Sequence, residues 1–179
     1  LFSDSCSASA FLMAKRRGFD ISWATRIRRL RPAMKLHGTR HHQDDGYTWV
    51  INLLWCALVM GQGVQRTYAP NSICFGCGPA NEKGLRIDSH RCSEGLELRF
   101  TPSDEHQAFP GMVNGGIIGS LLDCHGNWAA AIALMDSNGE DHPPCTVTAS
   151  YSVKLHRPTP AGEELYVLAE IEELMEDRA

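Results

Sequence analysis

The chain has 179 residues, 43% of them hydrophobic and 21% charged, which is the balance of a soluble globular protein with one core, with or without an appendage. Its net charge of −4 hides an asymmetry: residues 1–70 carry ten Lys/Arg against four Asp/Glu, and residues 71–179 carry seven against seventeen. The acidic half excludes a nucleic-acid surface, which needs clustered positive charge.

Residues 1–45 are rich in Arg, Ser and Ala and poor in acids, with Arg26, Arg28, Arg29 and Arg31 close together. Such a composition reads as either a transit-like segment or a disordered basic leader. His41-His42-Gln43-Asp44-Asp45 reads as a solvated polar loop rather than a metal site. Residues 46–65 carry no Lys, Arg, Asp or Glu, and the apolar stretch from Trp49 to Met60 is interrupted by Asn52. A membrane span needs about 20 apolar residues, so a short buried or interfacial helix is expected and no span. Thr67-Tyr68-Ala69-Pro70-Asn71 has linker chemistry. It divides a basic leader with its apolar segment, 1–66, from a folded domain, 67–179.

Turn chemistry opens that domain at Cys74-Phe75-Gly76-Cys77-Gly78-Pro79. Leu96, Leu98 and Phe100 alternate with Glu97, Arg99 and Thr101, the period of a half-buried strand. Pro102 to Pro110 is a polar loop. A helix is expected from about Gly116 to Met135, with Ile117, Leu121, Cys124, Trp128, Ile132 and Met135 on one face. Asp136-Ser137-Asn138-Gly139 ends it. In a second strand, Val147, Ala149, Tyr151, Val153 and Leu155 fill one face, and Thr146, Thr148, Ser150, Ser152 and Lys154 the other. The turn Arg157 to Gly162 leads to a third strand, Leu165 to Ile171, ending in the acidic run from Glu170 to Asp177. The order is α+β, an antiparallel sheet with one long helix packed on it. Three strands leave much of such a helix uncovered, which predicts that C-terminal strands are missing.

The chemistry concentrates at the start of the helix. Asn114-Gly115-Gly116 places bare backbone N–H groups at a helix mouth, where developing negative charge is stabilised. Asp123 lies inside the helical pattern as a candidate base or nucleophile. A small, polar stripe of Gly119, Ser120, Asp123, Gly126, Asn127 and Ala130 permits close approach of another backbone, such as a partner's helix. Asp123 lies about 12 Å along the axis from Gly115, at ~1.5 Å per residue. If both act on one carbonyl, the carboxylate must come from a neighbouring chain.

Cys74-Phe75-Gly76-Cys77-Gly78, the Asn81…Gly84-Leu85 pair, His106-Gln107-Ala108-Phe109-Pro110-Gly111, Gly115-Gly116 and Asp123 together resemble the hot-dog-fold acyl-CoA thioesterases of the PaaI-like superfamily. The resemblance covers about residues 71–179. It implies a long central helix wrapped by an antiparallel sheet, subunits paired into a homodimer or dimer of dimers, and hydrolysis of an acyl-CoA thioester without a cofactor. It implies Asp123 as general base or nucleophile, supplied across the interface. Gly115 N–H would polarise the carbonyl, and Thr148 would hold the attacking water. Asn114 and Gly116 complete the motif, with Asn114 standing where the family has His. The family also continues through further strands after the equivalent of Glu173. Positive charge is expected near the CoA phosphates, which makes Lys154 and Arg157 the candidate cations. The alternative is a hot-dog module that binds acyl thioesters or a protein partner without hydrolysis.

Seven cysteines, at 6, 56, 74, 77, 92, 124 and 145, are odd in number and spread out, which implies free thiols in a reducing compartment, cytoplasmic or organellar (mitochondrion or plastid). Cys74 and Cys77 form half a zinc site, with His90 and Cys92 the candidates to complete it; turn-forming buried thiols are the simpler reading, and no metal is expected. Cys124 and His125 are adjacent on the helix and point about 100° apart, so they cannot pair as nucleophile and base. Asp104-Glu105-His106 reads as a solvated turn.

Overall fold

The computed structural model describes residues 6–16, 19–29 and 61–176, with side chains over 61–174. His41–Asp45 and Trp49–Met60 therefore lie outside the described residues. The elements in chain order are β1 (Cys6–Arg16), β2 (Phe19–Arg29), α1 (Val64–Tyr68), β3 (Ser89–Cys92) and β4 (Gly95–Phe100). A single 3-10 turn (Asp104–His106), β5 (Gln107–Phe109) and β6 (Met112–Val113) follow. Then come α2 (Gly115–Asn138), β7 (Val147–Leu155) and β8 (Leu165–Glu176). Six strands form one sheet in the order β3-β4-β8-β2-β1-β7, all pairings antiparallel. Helix α2 lies across it, against β1, β2, β4, β7 and β8.

Four expectations are corrected here. Cys6–Arg16 and Phe19–Arg29 are not a leader outside the domain: as β1 and β2 they pair with each other between β8 and β7. The sheet is therefore not left at three strands, and the hairpin lies under the helix that those strands alone would leave bare. The signal for β2 is present in the sequence. Phe19, Ile21, Trp23, Thr25 and Ile27 alternate with Asp20, Ser22, Ala24, Arg26 and Arg28, a strand period masked by a basic composition. The acidic run after Ile171 does not end its strand either, because β8 continues to Glu176, paired with Phe19 of β2. Nor is Pro102–Pro110 all loop, since it holds the 3-10 turn and β5.

The core lies between the helix and the sheet. Leu121, Leu122 and Leu134 of α2 are fully buried against Leu98 of β4 and Leu165 and Val167 of β8. Each such side chain contributes about 1.5–3 kcal/mol by leaving water. Burial extends beyond the expected stripe, to His125, Ala129, Ala130 and Ala131, because α2 is also covered from the side by α1 and by the loop before β3. By length and hydropathy α2 is long and apolar enough to cross a membrane, but most of its surface is buried inside this domain. At its C-terminus Gly139 adopts φ 64°, and the amides of Gly139 and Glu140 bond Asp136 and Met135 carbonyls at 3.3 and 2.9 Å. This left-handed cap stops the helix where the sequence predicts.

Candidate active site

The segment before α2 sets its N-terminus. Gln107 accepts from Gly111 N–H at 2.6 Å and donates to Asp104 at 2.8 Å, folding the turn tightly, and Gly111 supplies the φ of 82° that the turn needs. Asn114 N–H then bonds His106 carbonyl at 2.8 Å. Asn114 is the N-cap: its Oδ1 accepts from Gly116 N–H at 2.7 Å. Its carbonyl accepts from Ile117 and Ile118 at 3.1 and 3.2 Å. Gly115 N–H is thus the one amide of the first turn with no acceptor among the described residues, and it is exposed. The cap divides the roles of the two glycines. Gly116 N–H is occupied by Asn114, and Gly115 N–H has no acceptor among the described residues.

Two turns further along α2, a polar chain fixes Asp123. Thr146 Oγ1 donates to Asn127 Oδ1 at 2.8 Å, Asn127 Nδ2 to Thr148 Oγ1 at 3.2 Å, and Thr148 Oγ1 to Asp123 Oδ1 at 2.6 Å. The last bond is short, as expected for a hydroxyl on a carboxylate. Asp123 Oδ2 has no partner among the described residues. Asp123, Asn127, Thr146 and Thr148 line one cleft of about 560 Å³, walled by Tyr68, Trp128, Pro143 and Pro144.

Strict alternation puts Thr148 on the face opposite Tyr151, Val153 and Leu155, and the structure corrects this. The pairing of β1 with β7 shifts between Met13↔Ser150 and Ala14↔Thr148, leaving Ala149 as a bulge. One extra residue reverses the facing of everything before it. Thr148 consequently faces α2 together with Val153, which packs on the core, and Tyr151, whose hydroxyl approaches Gly119. Within the small stripe of α2, Gly119, Asp123 and Asn127 meet β7 of their own chain, through Tyr151 and Thr148.

Gly115 and Arg157 share a second cleft of about 320 Å³, lined also by Phe109, Met112, Ile118 and Leu155. The structure thus brings Asp123 to Thr148 and Gly115 to Arg157, but the two pairs occupy different clefts of one chain. Lys154 lines neither of these clefts and is exposed on the sheet face turned away from α2.

The thiols are arranged otherwise than the sequence suggests. Cys74, Cys77 and Cys124 gather their sulfurs within 4.8 Å of one another. His90 lies instead beside Asp88, at 3.9 Å, and Cys92 closes the β3–β4 hairpin opposite Gly95. The Cys124 bond, with smaller help from Trp128 N–H and Cys74, pulls the Cys77 thiol down to about 6 against the cost of burial. Cys124 is pushed upward, by the Cys77 bond first and burial second.

His125 went unassigned in the sequence beyond its neighbour Cys124. It is fully buried, with Nδ1 2.8 Å from Ser89 Oγ and Nε2 3.1 Å from Leu96 carbonyl. Gln65 closes the network onto Ser89 at 2.9 and 2.7 Å. Burial lowers the imidazole to about 4, so it is a neutral, satisfied core group that ties α1, β3 and β4 to α2. No protein-family model matches the chain, and no curated protein or solved structure matches it.

Proposed function

We propose that this chain hydrolyses an acyl-CoA thioester, with Asp123 as general base or nucleophile. The observation that carries the reading is the 2.6 Å bond from Thr148 to Asp123 inside a cleft open to small molecules. The relay from Thr146 through Asn127 and Thr148 holds one oxygen of a carboxylate that lines the cleft, and the other oxygen has no partner among the described residues. A water held there loses a proton to Asp123 as its oxygen adds to the thioester carbonyl carbon. The oxyanion is stabilised by a free helix N-terminal amide, Gly115 N–H. Collapse breaks the C–S bond, and the CoA sulfur leaves with the proton that Asp123 took from the water, which restores the carboxylate. Thr148 serves in this scheme as the group that orients Asp123, since its hydroxyl hydrogen is already given to the carboxylate. Arg157, beside Gly115, is the cation best placed for a CoA phosphate.

Gly115 and Asp123 lie in separate clefts of one chain, so the site is shared between two chains in this proposal. Edge strand β7 supports it: Val147, Tyr151 and Leu155 are each more than half exposed there, an apolar edge of the kind that pairs with another chain. The test is thiol release from a panel of acyl-CoAs alongside sedimentation. Asp123→Asn is expected to lower the rate by about 10²–10⁴-fold, the usual contribution of a general base. An unchanged rate sinks the assignment of Asp123, and full activity in a strictly monomeric sample sinks the shared site. Tight acyl-CoA binding with no release by the unaltered chain favours the binding module, in which Asn114 is a helix cap and nothing more.

A further inference from the structure

The thiol cluster takes no part in that chemistry, yet the fold builds it with care. Cys74 and Cys77 stand on the loop before β3, and Cys124 comes from the middle of α2. Glycines make their convergence possible. A Cβ at Gly76 would collide with Cys124 Sγ, and one at Gly78 would fall 2.5 Å from Cys74 N and 2.6 Å from Cys74 and Ser72 carbonyls. Backbone bonds pin the same loop: Gly78 N–H to Cys74 carbonyl at 2.9 Å, Leu85 N–H to Phe75 carbonyl at 2.8 Å and Ile87 N–H to Gly76 carbonyl at 3.0 Å. Asn81 holds Ile73 carbonyl at 3.2 Å, which accounts for the Asn81…Gly84-Leu85 pair as the frame of this loop.

The separation of the Cys74 and Cys124 sulfurs matches a known coordination geometry, and the Cys77 sulfur lies within 4.8 Å of both. Cys74 Sγ and Cys124 Sγ are 3.9 Å apart, too far for a disulfide bond of about 2.05 Å. Zinc–sulfur bonds of about 2.3 Å at tetrahedral angles place sulfurs about 3.8 Å apart. Trp128 Nε1 lies 3.3 Å from Cys77 Sγ, the N–H···S contact by which an outer group steadies a metal-bound thiolate.

We propose that Cys74, Cys77 and Cys124 form a thiolate site for a zinc ion. Thiolates favour thiophilic cations such as zinc over calcium or magnesium. Two come from a Cys-x-x-Cys-Gly turn and the third from a rigid helix, so the ion would bolt the loop to α2. Cys74, Cys77 and Cys124 line the same cleft as Asp123, and a water from that cleft would complete the coordination. This site replaces the sequence-level pairing of Cys74 and Cys77 with His90 and Cys92.

The full chain, grown with added zinc and purified without chelator, is expected to carry equimolar zinc by elemental analysis. Cys92→Ser should retain it, and Cys74→Ser and Cys124→Ser should lose most of it. A second measurement needs no variant, because substitution at Cys124 can disturb packing. The chelator-stripped wild-type chain is titrated with Co²⁺. Thiolate-to-cobalt charge transfer in the near ultraviolet and strong tetrahedral bands in the visible are expected, both abolished by prior Zn²⁺. Absence of zinc with a silent cobalt titration overturns the proposal. So does copper in place of zinc, or zinc that survives in both cluster variants. None of these readings uses a thioester, so the metal site and the hydrolase reading stand or fall separately.

Discussion

Asn114 shows how one side chain divides the work of a helix mouth. Its amide oxygen takes Gly116 N–H at 2.7 Å, so it stabilises the helix and leaves Gly115 N–H as the open donor. A histidine there would present a ring rather than the short acceptor that a cap requires. The cap is worth about 1 kcal/mol. Asn114→Ala is accordingly expected to lower the melting temperature by about 2–4 °C, as for a domain of this size, and Asn114→Asp to restore most of it. Thermal unfolding followed by circular dichroism checks both, and an unshifted midpoint in Asn114→Ala removes the cap from the account. This part of the site was legible in the sequence. Adjacent glycines before an apolar helical period specify a helix start whatever the fold around it, because the constraint is local.

Among the elements, β7 decides the candidate site, and periodicity alone misreads it. Alternation places Thr148, Ser150 and Ser152 on one face, whereas the bulge at Ala149 turns Thr148 inward and leaves Ser150 and Ser152 outward. A bulge is set by pairing with β1, a strand far away in sequence, so no local pattern announces it. The three hydroxyl residues should therefore behave differently. Thr148→Val removes the donor to Asp123 and the acceptor for Asn127 with little change of shape. It is expected to cost about 1–3 kcal/mol of stability, the loss for leaving partly buried polar groups unpaired, and to slow thiol release about tenfold or more. Ser150→Ala and Ser152→Ala, on the exposed face, are expected to stay within about 0.5 kcal/mol of the parent. Equal effects from all three would restore the regular strand. The thiol cluster was half legible for a related reason: Cys74 and Cys77 are neighbours in sequence, but only the packing of their loop on α2 reveals Cys124 as the third member.

At the scale of the whole molecule, the N-terminal hairpin is the feature that composition concealed. Its arginines have the composition of a leader, whereas its alternating residues carry the strand signal. Strands β1 and β2 occupy the two positions between β7 and β8, so each hydrogen-bonds on both sides within the sheet. The resemblance to hot-dog thioesterases expects a strand after the equivalent of Glu173, and any such strand pairing with β8 opposite β4 would need the place that β2 holds. Without the hairpin, β7 loses its sheet partner, β8 loses one of two, and α2 loses two of the five strands it lies against. Unpaired backbone and bared apolar surface are both costly. Removing residues 1–29 is therefore expected to abolish a single cooperative thermal transition and to produce aggregates that bind an apolar dye. Near-ultraviolet circular dichroism and light scattering, on the parent and shortened chains at equal concentration, make the comparison. A shortened chain that melts cooperatively with native aromatic signals would show that the sheet holds without β1 and β2. The hairpin would then be a guest in the fold rather than part of it.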